Sequence, residues 1–143
     1  YKGITSYEVP KWVHFVKPVS DEDLIDRYQQ ARFVVLPLID TTQFGAGASV
    51  AVEAASAGKA VIATKTQGIS TYVIDGVTGI LVPPHDHAAM RDAIHKLWSQ
   101  PELAHQMGAA GRKYIEAEFN PLVVDNNIKK FLAEVNEKFQ QPR

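Results

Sequence analysis

The sequence predicts an α/β fold, a Rossmann-like parallel sheet flanked by helices and followed by a C-terminal helical tail. Three observations predict it. The runs RFVVLPL, AVIAT and GILV are apolar throughout rather than alternating, as strands covered on both faces are. Segments with helix start and stop signals lie between the runs, and strand–helix alternation is how a parallel sheet is written. Beyond Pro83-Pro84 only helical patterns remain. Crossovers between the strands are expected to be right-handed.

Each element has its local reason. WVHFV (Trp12 to Val16) is short, β-branched and aromatic, and is expected to be a strand. Ser20 followed by Asp21, Glu22 and Asp23 reads as an N-cap with acids in the first turn. The helix it opens should reach about Ala31, with Leu24, Ile25 and Tyr28 at helical spacing. RFVVLPL follows as a strand, then a glycine-rich loop and an alanine-rich helix stopped by Gly58. AVIAT (Ala60 to Thr64) is the next strand. A short helix is expected near Ser70 to Ile74, closed by the Asp75-Gly76 turn, before the strand GILV (Gly79 to Val82). Amphipathic helices are expected over His87 to Gln100, Pro101 to Phe119 and Pro121 to Gln140.

The bulk numbers narrow the partners. With 143 residues the chain is expected to form one domain, 1–143, ending in the 121–143 helical segment. Lys plus Arg is 15 and Asp plus Glu is 16, so the net charge of -1 gives no footprint for nucleic acid or an anionic membrane. There is no cysteine for a disulfide or a thiolate metal site. No apolar run approaches the roughly 18 residues of a membrane span, and the first residues do not read as a signal peptide. Four strands are fewer than a doubly wound sheet carries. The chain therefore reads as an incomplete half, with further strand–helix units expected before Tyr1.

The candidate chemistry lies between Asp40 and Lys59, DTTQFGAGASVAVEAASAGK, whose interior carries one charge, Glu53. In open α/β sheets ligands bind beyond the carboxyl ends of the strands, where this loop is expected. Gly45 and Gly47 allow positive φ and a close approach to a ligand. The helix start beyond them offers free amides and the positive end of a dipole, a site for phosphate. The same glycines would also serve a plain strand-to-helix turn, because a bare G-x-G is a weak signal. Glu53 lies about 7 Å along the helix from Ala48 and one turn beyond Ser49. A diphosphate at the helix start would place an attached ribose near its carboxylate. The alternative is a Glu on a solvated face, which its apolar sequence neighbours fit poorly. Ala51, Ala54, Ala55 and Ala57 would let the helix press on the sheet.

The run from Val13 to Phe119 resembles the nucleotide-sugar-binding C-terminal lobe of GT-B glycosyltransferases, in particular the large retaining family often called family four, or glycosyl transferases group 1. The resemblance rests on HFVKPVSDEDLIDRYQQARFVVLPL, on GASVAVEAASAGKAVIATKTQGISTYVIDGVTGILVPPHD, and on the M-G-x-x-G-R-K segment Met107 to Lys113. It implies a donor-binding domain of an enzyme that transfers a hexosyl group from a UDP-, GDP- or ADP-linked sugar to a glycan, lipid or other acceptor. The family's E-x7-E motif has a second Glu that binds ribose hydroxyls, and that position is Glu53. Its first Glu, which contacts the donor sugar, falls on Gly45, so the motif is degenerate here. The segment touching sugar and distal phosphate corresponds to Gly47, Ala48, Ser49 and Val50, and the base-holding turn to Val16, Lys17 and Val19. The Gly68 to Gly79 fingerprint, G-x-x-x-x-V-x-D-G-x-T-G, is expected to be structural. The resemblance further implies no metal or other cofactor, a cytoplasmic enzyme of carbohydrate biosynthesis, and a separate N-terminal lobe. That lobe would hold the acceptor site and its catalytic residues, with any peripheral membrane association. The phosphate-binding Arg and Lys would also lie before Tyr1, so weak nucleotide binding and no catalysis are expected of this chain alone.

Two other readings stay open: a sugar-nucleotide epimerase on the same scaffold, and a binding module that has lost its chemistry. His85-Asp86-His87 suggests a metal, but Asp86 is equally placed to cap the next helix, and no partner ligands stand out. His14, His95 and His105 read as packing or surface residues, and Arg112-Lys113 and Lys129-Lys130 as solvated faces. No nucleophile elbow or P-loop is present. Ile128, Phe131, Leu132 and Val135 form an apolar stripe expected to cover the sheet or a partner lobe.

Overall fold

The computed structural model describes residues 10–39 and 45–140. Its elements run in the order α1 (Asp21–Gln30), β1 (Phe33–Leu36), α2 (Ala48–Ser56), β2 (Ala60–Thr64), a 3-10 turn (Ile69–Thr71), β3 (Gly79–Val82), α3 (His87–Ser99), α4 (Pro101–Glu118) and α5 (Pro121–Gln140). The strands form a parallel sheet in the order β1-β2-β3, with Phe33 opposite Ala60 and Val61 opposite Gly79.

Both faces of the sheet are covered, and the alternation of side chains divides the core in two. Ala60, Ile62 and Val82 turn to one side with Phe33, Val35 and Ile80, and pack on Leu97 of α3 and Met107 of α4. Val61 and Ala63 turn to the other with Val34, Leu36 and Leu81, and meet Ala51 and Ala54 of α2 with Ile69 and Val73. Tyr28 of α1 joins this second cluster from its edge. β2, in the middle, is buried at every residue, as a continuous apolar run predicts.

Small residues set how closely the layers approach. A Cβ on Gly108 of α4 would lie 2.0 Å from the Gly58 carbonyl oxygen, so α4 rests on the backbone that links α2 to β2. Gly79 is equally tight against the Val61 carbonyl oxygen, also at 2.0 Å. Two side chains of the Gly68 to Gly79 fingerprint bond nearby backbone. Thr78 Oγ1 accepts the Ile74 N–H at 2.8 Å, and Asp75 Oδ1 accepts the Leu81 N–H at 2.9 Å. The fingerprint's role is structural, as expected.

The caps follow the sequence. Ser20 Oγ accepts the Asp23 N–H, Asp86 Oδ1 accepts the Ala89 N–H at 2.8 Å, and Asn120 Oδ1 accepts from Leu122 and Val123. Past α2, Gly58 at φ +70° lets Lys59 N–H return to the Ala54 carbonyl.

Several expectations are corrected. Trp12 to Val16 is not a strand: it pairs with none of the strands, Val13 N–H closes a turn onto Pro10, and Trp12 and Phe15 are 78% and 71% exposed. A strand needs a hydrogen-bonded neighbour, and β propensity cannot supply one. The described residues thus hold three strands, not four. β1 is half-buried rather than fully covered, because it lies at the sheet edge. The expected helix at Ser70 to Ile74 is one 3-10 turn, one residue earlier. Among the described residues, the α5 stripe covers no part of the sheet: Ile128, Phe131 and Leu132 are exposed. Val135 lies outside the described side chains.

Candidate functional site

The end of β1 leads towards the glycine-rich segment, where Asp40 to Phe44 lie outside the described residues. Gly45 and Gly47 both hold positive φ, +91° and +79°, and Gly47 is the N-cap of α2. A Cβ on Gly47 would sit 3.0 Å from Leu38 Cδ1, so the turn is pressed against the chain leaving β1. A Cβ on Gly45 would meet nothing within 4 Å. At Gly45, backbone conformation rather than lack of room disfavours a side chain.

The first turn of α2 is arranged to receive negative charge. Gly47 provides no side-chain cap and the turn carries no acid. The Gly45 carbonyl takes the Ala48 N–H at 3.0 Å. Among the described residues the amides of Ser49 and Val50 find no acceptor, and they lie at the positive end of the helix dipole. Ser49, Glu53 and Ser56 share the exposed face of α2, while Ala51, Ala54 and Ala55 face the core. Ala57 is only half-buried and lines a cleft instead of pressing on the sheet.

Glu53 is therefore exposed, despite its apolar neighbours in sequence. At about 100° per residue, the turn that sends Ala51 and Ala54 inward sends Glu53 out. Its partner among the described residues is not a cation. The Tyr28 hydroxyl, 25 residues earlier on α1, donates to Glu53 Oε2 at 2.9 Å. Burial, then this bond, then the carboxylate's charge push the Tyr28 hydroxyl up to about 12. The pair stands in a cleft of about 600 Å³ between α1 and α2, with Asp21, Leu24, Ile25 and Val52 on its walls and Arg112 of α4.

Asp21, Tyr28 and Arg112 were not candidates from sequence alone. Tyr28 carries the polar tip of the Leu24-Ile25-Tyr28 stripe, and that is the signal that could have marked it. Arg112, which the sequence places on a solvated face, is exposed and pairs with Glu116 at 2.8 Å, yet it also faces the cleft. Val16 and Lys17 are exposed and Val19 is half-buried, and none of the three is among the cleft's lining residues. His85, exposed at φ +61°, and His87 line a smaller hollow at the carboxyl end of the sheet. Among the described residues no three His, Asp or Glu side chains gather as a metal would require. No helix among them is long and apolar enough to cross a membrane.

A glycine-capped helix start beyond β1, a carboxylate on the same helix face, and a fingerprint whose Thr78 and Asp75 brace the turn before β3 together define a pattern. The family model for glycosyl transferases group 1 matches residues 1–114. The chain belongs to the glycosyl transferases group 1 family. It is 36% identical over 104 residues to the D-inositol 3-phosphate glycosyltransferase of Streptomyces avermitilis, covering 73% of this chain and 22% of that protein. The Corynebacterium diphtheriae enzyme of the same name is 37% identical over 98 residues, covering 68% and 22%. The chain thus spans about a fifth of the length of these relatives.

Among solved structures, sucrose-phosphate synthase from Thermosynechococcus elongatus superposes with a TM-score of 0.72 at 29% identity, covering 87% of this chain and 30% of that one. HepE from Anabaena, solved with UDP and glucose, superposes at 0.62 and 22% identity, covering 76% and 29%. This second likeness is one of fold. The α/β architecture is that of the group's GT-B neighbours.

Proposed function

We propose that this chain is the donor-binding part of a retaining glycosyltransferase, which moves a hexosyl group from a nucleoside-diphosphate sugar to an acceptor held elsewhere in the protein. One observation carries the reading: first-turn amides of α2 that have no acceptor among the described residues and the Glu53 carboxylate lie on one exposed helix face, about 6 Å apart along the axis. That spacing suits a diphosphate at the helix start and a ribose over Glu53. The family relatives named as glycosyltransferases and the fold shared with a UDP-bound neighbour support it.

The chemistry needs charge stabilisation more than proton transfer. As the bond to the anomeric carbon breaks, negative charge collects on the leaving diphosphate. Fixed amides and a helix dipole oppose that charge without reorganising. The dipole contributes about 0.3–1 kcal/mol at an exposed terminus, so weak binding is expected of this chain by itself. The reading invokes no metal. Gly45 stands where the family's sugar-contacting Glu would be, so sugar selection falls to other groups.

Titration with UDP, GDP and ADP, followed by amide NMR, tests the reading. Shifts at Gly47 to Val50 that weaken in Glu53→Ala are expected, and the preferred base narrows the donor. A folded sample that shows no shift with any of the three overturns it.

A further inference from the structure

Glu53 has two oxygens, and the structure treats them differently. Oε2 accepts the Tyr28 hydroxyl at 2.9 Å, whereas no hydrogen bond to Oε1 forms among the described residues. The half-buried ring of Tyr28 packs against the second core cluster, so while α1 is in place its hydroxyl is delivered from a packed platform. Glu53 has no such platform: its side chain leaves an exposed helix face, and a free carboxylate there samples several rotamers. A carboxylate that swings freely loses entropy when it binds, and one already held loses less.

We propose that Tyr28 is a positioning residue for Glu53: by holding Oε2 it fixes the carboxylate so that Oε1 faces the ligand and accepts a ribose hydroxyl. The inference rests on the ribose reading given above and adds to it the group that sets the geometry. The chemistry suits the role. A phenol is a neutral donor that a tyrosine can bring from a packed ring. It leaves the negative charge of the acceptor intact, where a lysine or arginine would neutralise it. The other charged groups lining the cleft are Asp21 from α1 and Arg112 from α4. Arg112 pairs with Glu116 on its own helix, so among the described residues Tyr28 alone holds Glu53 in place.

The test compares UDP, GDP and ADP with their dideoxyribose counterparts on the wild type, Glu53→Ala and Tyr28→Phe. Phenylalanine keeps the ring packed against the core and removes only the hydroxyl. Wild type should prefer the ribose form, and Glu53→Ala should lose that preference. Tyr28→Phe should lower it by up to about tenfold while leaving affinity for the dideoxy form unchanged. If Tyr28→Phe keeps the preference while Glu53→Ala loses it, the proposal fails and the ribose reading stands. An equal loss for both nucleotide forms makes Tyr28 a packing residue and also overturns the proposal. If Glu53→Ala keeps the preference, or no nucleotide binds, the ribose reading falls and takes the proposal with it. A second measurement needs no nucleotide: ring-carbon NMR should show Tyr28 titrating towards about 12, and lower in Glu53→Ala, where burial alone still raises it. An ordinary midpoint in the wild type means the pair does not form.

Discussion

Two glycine-bearing regions of this chain do opposite things. Around β3 and α4, glycines and short polar side chains are buried against backbone: Gly79 and Gly108 each sit where a Cβ would be 2.0 Å from a carbonyl oxygen, and Thr78 is buried with its hydroxyl engaged. Around the start of α2, Gly45 faces open space and Ser49 and Glu53 face solvent. The first region has spent its polar groups on itself and the second has kept some free. A family pattern in sequence thus mixes residues that build the platform with residues that can meet a ligand, and burial separates them.

Substitutions should separate them too. Gly108→Ala forces a methyl into the Gly58 carbonyl and should cost about 3 kcal/mol or more, read by urea unfolding. Thr78→Val keeps the shape but strips the Ile74 N–H of its acceptor, with an expected cost of about 1–3 kcal/mol. Gly45→Ala meets no atom, so its cost should be backbone strain alone, about 1–2 kcal/mol, with nucleotide shifts at Ser49 and Val50 retained. If Gly45→Ala proves as damaging as Gly108→Ala, the contrast between the regions is wrong.

The smallest effect is one of pH. The Tyr28 hydroxyl titrates at about 12 in the folded state against about 10 unfolded, so above pH 10 the folded chain holds a proton that the unfolded chain has released. The stability this provides is complete below pH 10 and declines as pH rises towards 12. Tyr28→Phe should therefore lose stability less steeply than the wild type between pH 10 and 12, read by urea unfolding.

Most of the fold could be read from the sequence because its signals are local. Ser20, Asp86 and Gly58 mark helix ends by chemistry that acts within a few residues, and AVIAT announces a buried strand by its composition. Trp12 to Val16 failed for the converse reason: whether an extended segment becomes a strand depends on a neighbour that its own residues do not specify. The site was half legible. Gly47 and Glu53 stand out in their stretch, but the partner of Glu53 lies 25 residues away and becomes its neighbour only through the packing of α1. Nothing in a glutamate's sequence surroundings names a tyrosine on another helix. The exposure of Glu53 also ran against its apolar context, since helix phase outweighs the character of adjacent residues.

The attachment of α1 has a consequence for motion. The helix buries no residue of its own, and among the described residues it is tied down by two hydrogen bonds, Tyr28 to Glu53 and Lys59 Nζ donating to the Gln29 carbonyl at 2.8 Å. Such an element can lift away without disturbing the layers beneath, so its amides should exchange with deuterium through a small sub-global opening while those of β2 wait for global unfolding. Because one of the two ties ends on Glu53, anything that settles on that carboxylate in the closed arrangement should slow exchange along the whole of α1.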